Sequence, residues 1–172
     1  WSLGVWAAQY LLSKTGIDPD IRIAVNGTPI PADDKYGIPL RIFEGTLNNI
    51  TEENMHKFYF RMFGDKKTNE LNKEMVPKRT LKSLHDELRW LYNRMMEQTD
   101  SGFRWDYALT SEIDRVFPYE NVNNYWAKEK NTKHIILPVP HYFFNNWKSF
   151  AEFIDFVENY GKKRVTKQKK VS

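Results

Sequence analysis

The stretch Trp1-Ser2-Leu3-Gly4, followed at once by the apolar run Val5 to Ser13, decides how this chain is interpreted. A glycine two residues after a serine, where an apolar helix begins, is typical of the sharp strand-to-helix turn that exposes a serine hydroxyl above a parallel sheet. The alternative is a serine that caps the helix N-terminus, which is a common role for this residue. The order and spacing of other polar residues must decide between the two.

Beyond this turn, short β-branched apolar runs alternate with segments of helical period. The pattern predicts strands at 21–25, 107–110 and 134–139, helices at 5–13, 51–63, 80–97, 121–130 and 147–160, a long loop at 30–49 and a polar connection at 64–78. In the last helix we expect Trp147, Phe150, Ala151, Ile154 and Val157 to share one face. Strands that alternate with helices predict an α/β fold with a mostly parallel sheet flanked by helices.

The length of 172 residues suits one domain. We divide the chain into an α/β core at 1–50 and 101–160, a helical cap inserted at 51–100, and a basic tail at 161–172. The net charge is +4, but the tail holds six basic residues and no acidic one, so the rest of the chain has a net charge of −2. Because the chain begins inside the predicted turn, we expect it to lack the early strands of the natural protein.

Composition excludes several classes of protein. A hydrophobic fraction of 41% with 15% aromatic residues is too high for a disordered chain, and no apolar run is long enough to span a membrane. The absence of cysteine excludes disulfides and thiolate sites and suits a reducing cytoplasm, where we place the protein. The four histidines show no metal-binding spacing, and we expect neither metal nor cofactor. The tail lacks interleaved aromatic residues, so we expect no nucleic-acid partner.

A carboxylate and a histidine follow the last two predicted strands. Asp114 lies after the strand at 107–110, with Glu112 as its nearest competitor, and His141 lies in the loop after the last strand. Each has an ordinary alternative role: Asp114 could cap its loop or pair with Arg115, and His141 could be a structural loop residue. Catalytic groups concentrate on such loops, because the carboxyl ends of parallel strands meet at one edge of the sheet.

The order Ser2, Asp114, His141 is the order that α/β-hydrolases use for a catalytic triad. His141 would act as general base for the Ser2 hydroxyl, and Asp114 would orient the imidazole and stabilise its protonated form. The backbone N–H of Leu3 would donate to the oxyanion, and one such donor contributes about 2.7–4 kcal/mol to transition-state stabilisation.

Several longer stretches carry a family resemblance. The segments Trp1-Ser-Leu-Gly-Val-Trp-Ala-Ala8, Ala24-Val-Asn-Gly-Thr-Pro-Ile-Pro-Ala-Asp-Asp-Lys-Tyr-Gly-Ile-Pro39 and Ile42-Phe-Glu-Gly-Thr-Leu-Asn-Asn49 resemble the BioG-type carboxylesterases of bacterial biotin synthesis. Glu112-Ile-Asp-Arg-Val-Phe-Pro118 and Pro140-His-Tyr-Phe-Phe144 resemble the acid and histidine loops of the same family. The similarity extends over about residues 1–160 and does not include the tail.

The resemblance implies an α/β-hydrolase fold and hydrolysis of the methyl ester of pimeloyl-acyl carrier protein to the free acid and methanol. It implies the triad Ser2, Asp114 and His141, an acyl carrier protein as partner, and a bacterial cytoplasmic location. The second oxyanion donor is expected to lie in the missing early strands.

An acidic carrier protein requires basic residues near the site. Residues 57–82 carry a net charge of +5, and we expect Arg61, Lys66, Lys67 and Lys73 to dock the carrier. The alternative is an ordinary solvated helix face. All five methionines also fall in the cap, where their flexible side chains could contact an acyl chain or simply pack the cap. The remaining functional alternatives are an α/β-hydrolase of other specificity (lipase, thioesterase or acyltransferase) and a non-catalytic hydrolase-like binding module.

Overall fold

A computed structural model describes residues 1–97 and 102–161. It divides into two compact units, Trp1–Tyr142 and the residues from Phe143 onward. The basic residues predicted to form the tail, from Lys162 on, lie outside the described residues.

The sheet of the first unit has three parallel strands in the order β1-β2-β3. They are β1 (Ile23–Val25), β2 (Tyr107–Ser111) and β3 (Lys133–Leu137). Ala24 pairs with Ala108, and Leu109 pairs with Ile135. All four side chains are buried, as is typical of a parallel sheet that is covered on both faces. The three predicted strands and their parallel arrangement are confirmed, and the observed fold is mixed α/β.

The first helix, α1 (Gly4–Thr15), follows the Trp1-Ser2-Leu3 turn directly. It ends at Gly16, whose φ of +68° is the left-handed conformation that glycine adopts without steric cost. Val5 and Trp6 are buried, and Gln9 accepts a hydrogen bond of 3.1 Å from the indole N–H of Trp105. The helix therefore packs on the core along its first turns, and the predicted helix at 5–13 is confirmed.

A second helix, α2 (Leu40–Asn48), occupies part of the segment predicted as a loop, so this prediction was wrong. Pro39 is suited to the helix start because its φ is already restricted and no helical N–H is lost there. Phe43 and Leu47, spaced four residues apart, are buried. Gly45, which suggested a loop, lies in the middle of this helix.

The predicted cap segment consists of helices in the described residues. They are α3 (Glu52–Phe63), α4 (Lys66–Leu71), a 3-10 turn (Lys73–Met75) and α5 (Leu81–Glu97). α3 begins at Thr51, whose hydroxyl accepts from the N–H of Asn54, as expected for an N-cap. The polar connection was predicted without a helix and contains α4, whose first turn is capped by the Asp65 carboxylate. The long helices at 51–63 and 80–97 are confirmed.

Helix α5 packs against α2. The ring of Tyr92 stacks on Phe43 with centroids 5.4 Å apart, and its hydroxyl donates to Glu44 at 2.5 Å. This hydrogen bond to the Glu44 carboxylate raises the pKa of Tyr92. Met95 is buried in the same cluster as Trp6 and Phe43.

Helix α6 (Tyr119–Trp126) covers the sheet next to β2 and is shorter than predicted. Its buried residues Val122 and Trp126 join Val5, Ala108 and Phe117 in the main hydrophobic cluster. The indole N–H of Trp126 donates to the Gly27 carbonyl at 3.0 Å.

The second unit contains a 3-10 turn (Phe144–Asn146) and α7 (Phe150–Asn159). The predicted face is only partly buried, because Phe150 is 76% exposed and Ala151 is also exposed, whereas Val157 is buried. Phe153, which was not assigned to this face, is also buried, and its ring contacts Phe144 and Trp147. Ser149 begins the helix as its N-cap, so Trp147 lies before the helix and not on one of its faces.

No helix within residues 1–97 and 102–161 combines the length and apolar character that crossing a bilayer requires.

Candidate active site

Ser2 occupies a strained turn directly before α1. Its φ is +59°, which is uncommon for a residue other than glycine and often marks a functional position. The Ser2 N–H donates to the carbonyl of Val25 at 2.8 Å, and the Ser2 carbonyl accepts from Val5 at 3.0 Å. The turn is thereby fixed to the carboxyl end of β1 and to the start of α1.

Ser2 does not cap α1. The N-cap position belongs to Leu3, and no side chain supplies a capping hydrogen bond there. The capping alternative for Ser2 is therefore wrong, and its hydroxyl is not engaged by the helix end. The adjacent Leu3 N–H donates no hydrogen bond to any group in the described part of the chain, so it could donate to a substrate oxygen.

Gly27 is required next to this turn. A Cβ at position 27 would lie 2.3 Å from the Ser2 carbonyl oxygen and 3.1 Å from Cγ2 of Val5. Such contacts are far below van der Waals distance, so only glycine lets the loop after β1 pass this close to the backbone of Ser2.

Asp114 and His141 form a buried pair. Nδ1 of His141 lies 2.6 Å from Oδ2 of Asp114, and the two side chains are 1% and 3% exposed. Glu112, the competing acid, is exposed. The short distance and the burial favour a strong hydrogen bond, because little water is present to compete for either group.

Asp114 also caps its own loop. Its second carboxylate oxygen, Oδ1, accepts from the N–H groups of Val116 at 2.7 Å and Phe117 at 2.9 Å. The loop-capping role and the histidine contact, which the sequence left as alternatives, are thus both present. The two backbone donors fix the carboxylate so that Oδ2 points at His141.

The other imidazole nitrogen of His141 has no protein partner. Nε2 is buried and lies outside hydrogen-bond geometry with every group in the ranges 1–97 and 102–161. The Phe117 ring lies parallel to the imidazole at a centroid distance of 6.0 Å, and the Trp1 ring lies 5.1 Å away. A buried, unpartnered basic nitrogen is a costly feature and is typical of sites that handle protons.

The backbone of the histidine loop is held by two donors. The His141 carbonyl accepts from Nδ2 of Asn26 at 2.8 Å and from the indole Nε1 of Trp1 at 3.0 Å. Trp1 directly precedes Ser2, so the histidine loop and the serine turn are in contact.

The other histidines lie elsewhere. His56 and His85 lie on α3 and α5, and His134 lies on β3 with Nε2 2.8 Å from the Thr110 hydroxyl. Burial lowers the pKa of His134. Within the two described ranges, no group of three or more acidic or histidine side chains is arranged to hold a metal ion.

A mainly apolar cavity of about 230 Å³ begins at Ser2. Helices α2, α3 and α5 and the loop after β2 supply its walls, which are lined by Leu3, Ile38, Ile42, Phe43, Ile50, Met55, Phe58, Leu84, Leu88, Leu91 and Val116. Of the five methionines, only Met55 lines it, whereas Met75 and Met96 are exposed and Met95 belongs to the packed core. The polar side chains around it are Ser2, Thr46, Arg61, Glu87 and Arg115.

A surface groove of mixed polarity, with a larger polar share, adjoins this cavity. The groove is also lined by Asn49, Asn54 and Lys57, and the residues that it shares with the cavity are Ile42, Thr46, Ile50, Met55, Phe58 and Arg61. A molecule that extends from Ser2 past Arg61 would leave mainly apolar walls and meet the polar side chains of Asn49, Asn54 and Lys57.

The four predicted docking residues differ in their contacts. Lys73 lies 3.4 Å from Glu70, in an exposed ion pair. Arg61, Lys66 and Lys67 form no salt bridge with the residues that the structure describes. Lys67 lies close enough to Asp65 to help lower the pKa of that carboxyl, after the larger effect of its hydrogen bonds from Thr68.

The family model described as "Pimeloyl-ACP methyl esterase BioG" matches residues 1–153, which is most of the chain. The chain belongs to the BioG family. The match ends before the basic residues that follow Gly161.

Two Haemophilus influenzae proteins are similar to most of this chain. A crystal structure of selenomethionine BioG from Haemophilus influenzae is 35% identical and superposes with a TM-score of 0.80 over 88% of this chain and 69% of that one. A Haemophilus influenzae protein named "Uncharacterized protein" is 35% identical over 90% of this chain and 70% of its own length.

A third relative carries a different name. The "Malonyl-[acyl-carrier protein] O-methyltransferase" of Bacteroides fragilis is 40% identical over 76% of this chain, but the match covers only 27% of that protein. The chain therefore spans about a quarter of the length of this relative and about 70% of the Haemophilus proteins.

Sequence reasoning missed the residues that organise the site of this BioG-family chain. Local patterns assign neither Asn26 nor Trp1 a role in the site, and both side chains donate to the His141 carbonyl. A signal existed for Asn26, because asparagine is enriched at left-handed backbone positions and its φ is +46°. No local pattern could have indicated Trp1, since its partner lies 140 residues away.

Proposed function

We propose that this chain carries the catalytic triad of a serine carboxylesterase with the α/β-hydrolase fold, formed by Ser2, His141 and Asp114. The observation that carries the proposal is the buried 2.6 Å contact between His141 Nδ1 and Asp114, with Nε2 left without a partner. A structural histidine would satisfy both nitrogens, whereas a general base needs one of them open.

The chemistry follows from these positions. His141 Nε2 accepts the Ser2 proton as Oγ attacks the ester carbonyl, and Asp114 stabilises the imidazolium that results. The Leu3 N–H donates to the oxyanion. His141 then returns the proton to the departing alkoxide, which leaves as the alcohol. Water, deprotonated by His141, attacks the acyl-serine, releases the carboxylic acid and restores the Ser2 hydroxyl.

We further propose that the substrate is the methyl ester of pimeloyl-acyl carrier protein, which would yield pimeloyl-acyl carrier protein and methanol in biotin biosynthesis. The family description supports this substrate. So does the relative named as an O-methyltransferase of malonyl-acyl carrier protein, because a methyl ester on a carrier-bound acyl group is the bond that an esterase of this kind hydrolyses.

The cavity suits such an acyl chain. Its volume of about 230 Å³ is below the roughly 300–1,000 Å³ of typical ligand pockets, so it favours a slim, unbranched chain. Its apolar walls fit methylene groups, and the ester would lie at Ser2. The adjoining groove with Asn49, Asn54 and Arg61 would then take the polar, amide-containing arm that links an acyl chain to its carrier.

The decisive experiment uses a fluorophosphonate probe and the proposed substrate. Intact chain should be labelled once, and Ser2→Ala should abolish both labelling and methanol release. Labelling of the Ser2→Ala variant would refute Ser2 as nucleophile. Release of the carrier thiol in place of methanol would instead identify a thioesterase, the alternative that the same triad supports.

A further inference from the structure

The His141 carbonyl lies at the meeting point of the serine turn, the end of β1 and the histidine loop. It accepts hydrogen bonds from Asn26 Nδ2 at 2.8 Å and from Trp1 Nε1 at 3.0 Å. A carbonyl oxygen has two lone pairs, so these two donors fill both of its acceptor sites. We call Asn26 and Trp1 the carbonyl clamp.

The side chain of Asn26 is buried and makes its hydrogen bonds within the protein. It is 1% exposed, and its side chain also donates to the Ser111 hydroxyl at 2.7 Å and accepts from the Ser111 N–H at 2.9 Å. Its own N–H donates to the Leu109 carbonyl at 2.9 Å. The ends of β1 and β2 and the histidine loop are thus joined through one buried amide whose side-chain groups are all hydrogen-bonded.

Trp1 and Asn26 are each the chain neighbour of a residue that forms or contacts the serine turn. Trp1 directly precedes Ser2, and Asn26 directly precedes Gly27, which is in close contact with the Ser2 carbonyl. Both clamp donors are therefore fixed to the backbone that holds the nucleophile. Any displacement of the histidine loop relative to Ser2 would break one of these two hydrogen bonds.

We propose that Asn26 and Trp1 are positioning residues that hold His141 at a fixed place relative to Ser2 through the His141 backbone carbonyl. The proposal rests on the serine esterase function proposed above. The side-chain contact with Asp114 orients the imidazole ring, and the clamp sets the position of the backbone from which that ring projects.

The test compares Asn26→Asp, Trp1→Phe and the control Ser111→Ala. Asn26→Asp keeps the acceptor for the Ser111 N–H and places an oxygen where the donor to His141 was. Trp1→Phe keeps an aromatic ring and removes the indole N–H. Ser111→Ala removes a hydroxyl bound to Asn26 and leaves both donors to the His141 carbonyl in place.

We expect kcat on a small aryl ester, per fluorophosphonate-titrated site, to fall about 10- to 100-fold in Asn26→Asp with KM changed less than about threefold, because small displacements of a catalytic group have effects of this size. Trp1→Phe loses one hydrogen bond, and kcat should fall about 3- to 10-fold. Ser111→Ala should lower the thermal midpoint without a comparable loss of kcat.

A second readout does not depend on turnover. The proton in the short bond between His141 Nδ1 and Asp114 should give a downfield NMR resonance, which the two clamp variants should broaden or shift and Ser111→Ala should not. A variant set that loses only thermal stability, with kcat per site and this resonance unchanged, would overturn the proposal. If Asn26→Asp does not fold, Trp1→Phe decides, because Trp1 is 38% exposed and no part of the buried core.

Failure of the clamp and failure of the proposed function give different results. If Ser2→Ala abolishes hydrolysis while both clamp variants keep wild-type kcat and resonance, only the clamp is wrong. If intact chain hydrolyses no ester, the proposed function is not supported, and the NMR resonance still tests whether the clamp holds His141.

Discussion

At the level of single residues, two positive φ angles shape the candidate site. Among the described non-glycine residues, only Ser2 at +59° and Asn26 at +46° adopt this conformation. Each costs free energy, of the order of 1–3 kcal/mol for a residue in a sparsely populated region. The hydrogen bonds to Val25 and Leu109 and the close packing of Gly27 against Ser2 hold both residues in place.

Replacement of Gly27 by alanine tests this packing. Its Cβ would lie 2.3 Å from the Ser2 carbonyl oxygen, so one of the two backbones must shift. We expect the free energy of unfolding to fall by about 1–3 kcal/mol or more, as in other overpacked sites. Fluorophosphonate labelling of Ser2 should slow at the same time. Wild-type stability and labelling in Gly27→Ala would show that the approach of these two backbones is less close than described.

At the level of elements, α2 shows how packing overrides composition. Its segment contains Gly45 and follows Pro39, and these residues suggested a loop. Phe43 and Leu47 nevertheless share one helical face and are buried, and α5 packs against that face through Tyr92. The free energy gained from this burial exceeds the roughly 0.5–1 kcal/mol that a glycine costs inside a helix.

Two glycine-to-alanine substitutions test α2, because we expect them to change the free energy of unfolding in opposite directions. A Cβ added at Gly45 or at Gly16 meets no atom within 4 Å, so only the backbone conformation distinguishes the two sites. Gly45→Ala should raise the free energy of unfolding by about 0.5–1 kcal/mol, because alanine is the better helix former. Gly16→Ala should lower it by about 1 kcal/mol, because Gly16 has a φ of +68°.

Urea denaturation followed by circular dichroism measures both changes. A loss of stability in Gly45→Ala would contradict a helix at 40–48 and favour the loop that the sequence suggested. The Gly16 variant confirms that the measurement resolves effects of this size.

At the level of the whole molecule, charge is unevenly distributed. Several cations of the predicted docking segment are paired, including Lys57 with Glu53 and Lys82 with Asp86, whereas Arg61, Lys66 and Lys67 are not. Exposed ion pairs contribute little to stability, but they reduce the local positive potential. The unpaired cations are thus the better candidates to attract an acidic carrier.

The double variant Lys66→Gln/Lys67→Gln tests electrostatic docking. We expect the ratio of kcat/KM for a carrier-linked ester to that for a small aryl ester to fall about tenfold at low salt. This fall in the ratio should become smaller as ionic strength approaches 0.15 M, where the Debye length is about 8 Å. Lys82→Gln, which removes an already paired cation, serves as the control. An equal loss of kcat/KM on the carrier-linked and the aryl ester would contradict docking at these lysines.

The sequence by itself determined the elements whose signals are local. Hydrophobic period predicted the helices at 5–13, 51–63 and 80–97, and short β-branched runs predicted the three parallel strands. The order of Ser2, Asp114 and His141 also singled out the candidate triad, because chain order and loop position can be read without coordinates.

Only the tertiary structure decided how those residues meet. The pairing of Asp114 with His141, the burial of Nε2 and the contacts of Asn26 and Trp1 with the His141 carbonyl join positions 27 to 140 residues apart. Helix α2 and the buried face of α7 likewise depend on what packs against them. Propensity and periodicity describe a residue and its near neighbours, whereas a site of this kind is set by distances across the fold, which no local pattern encodes.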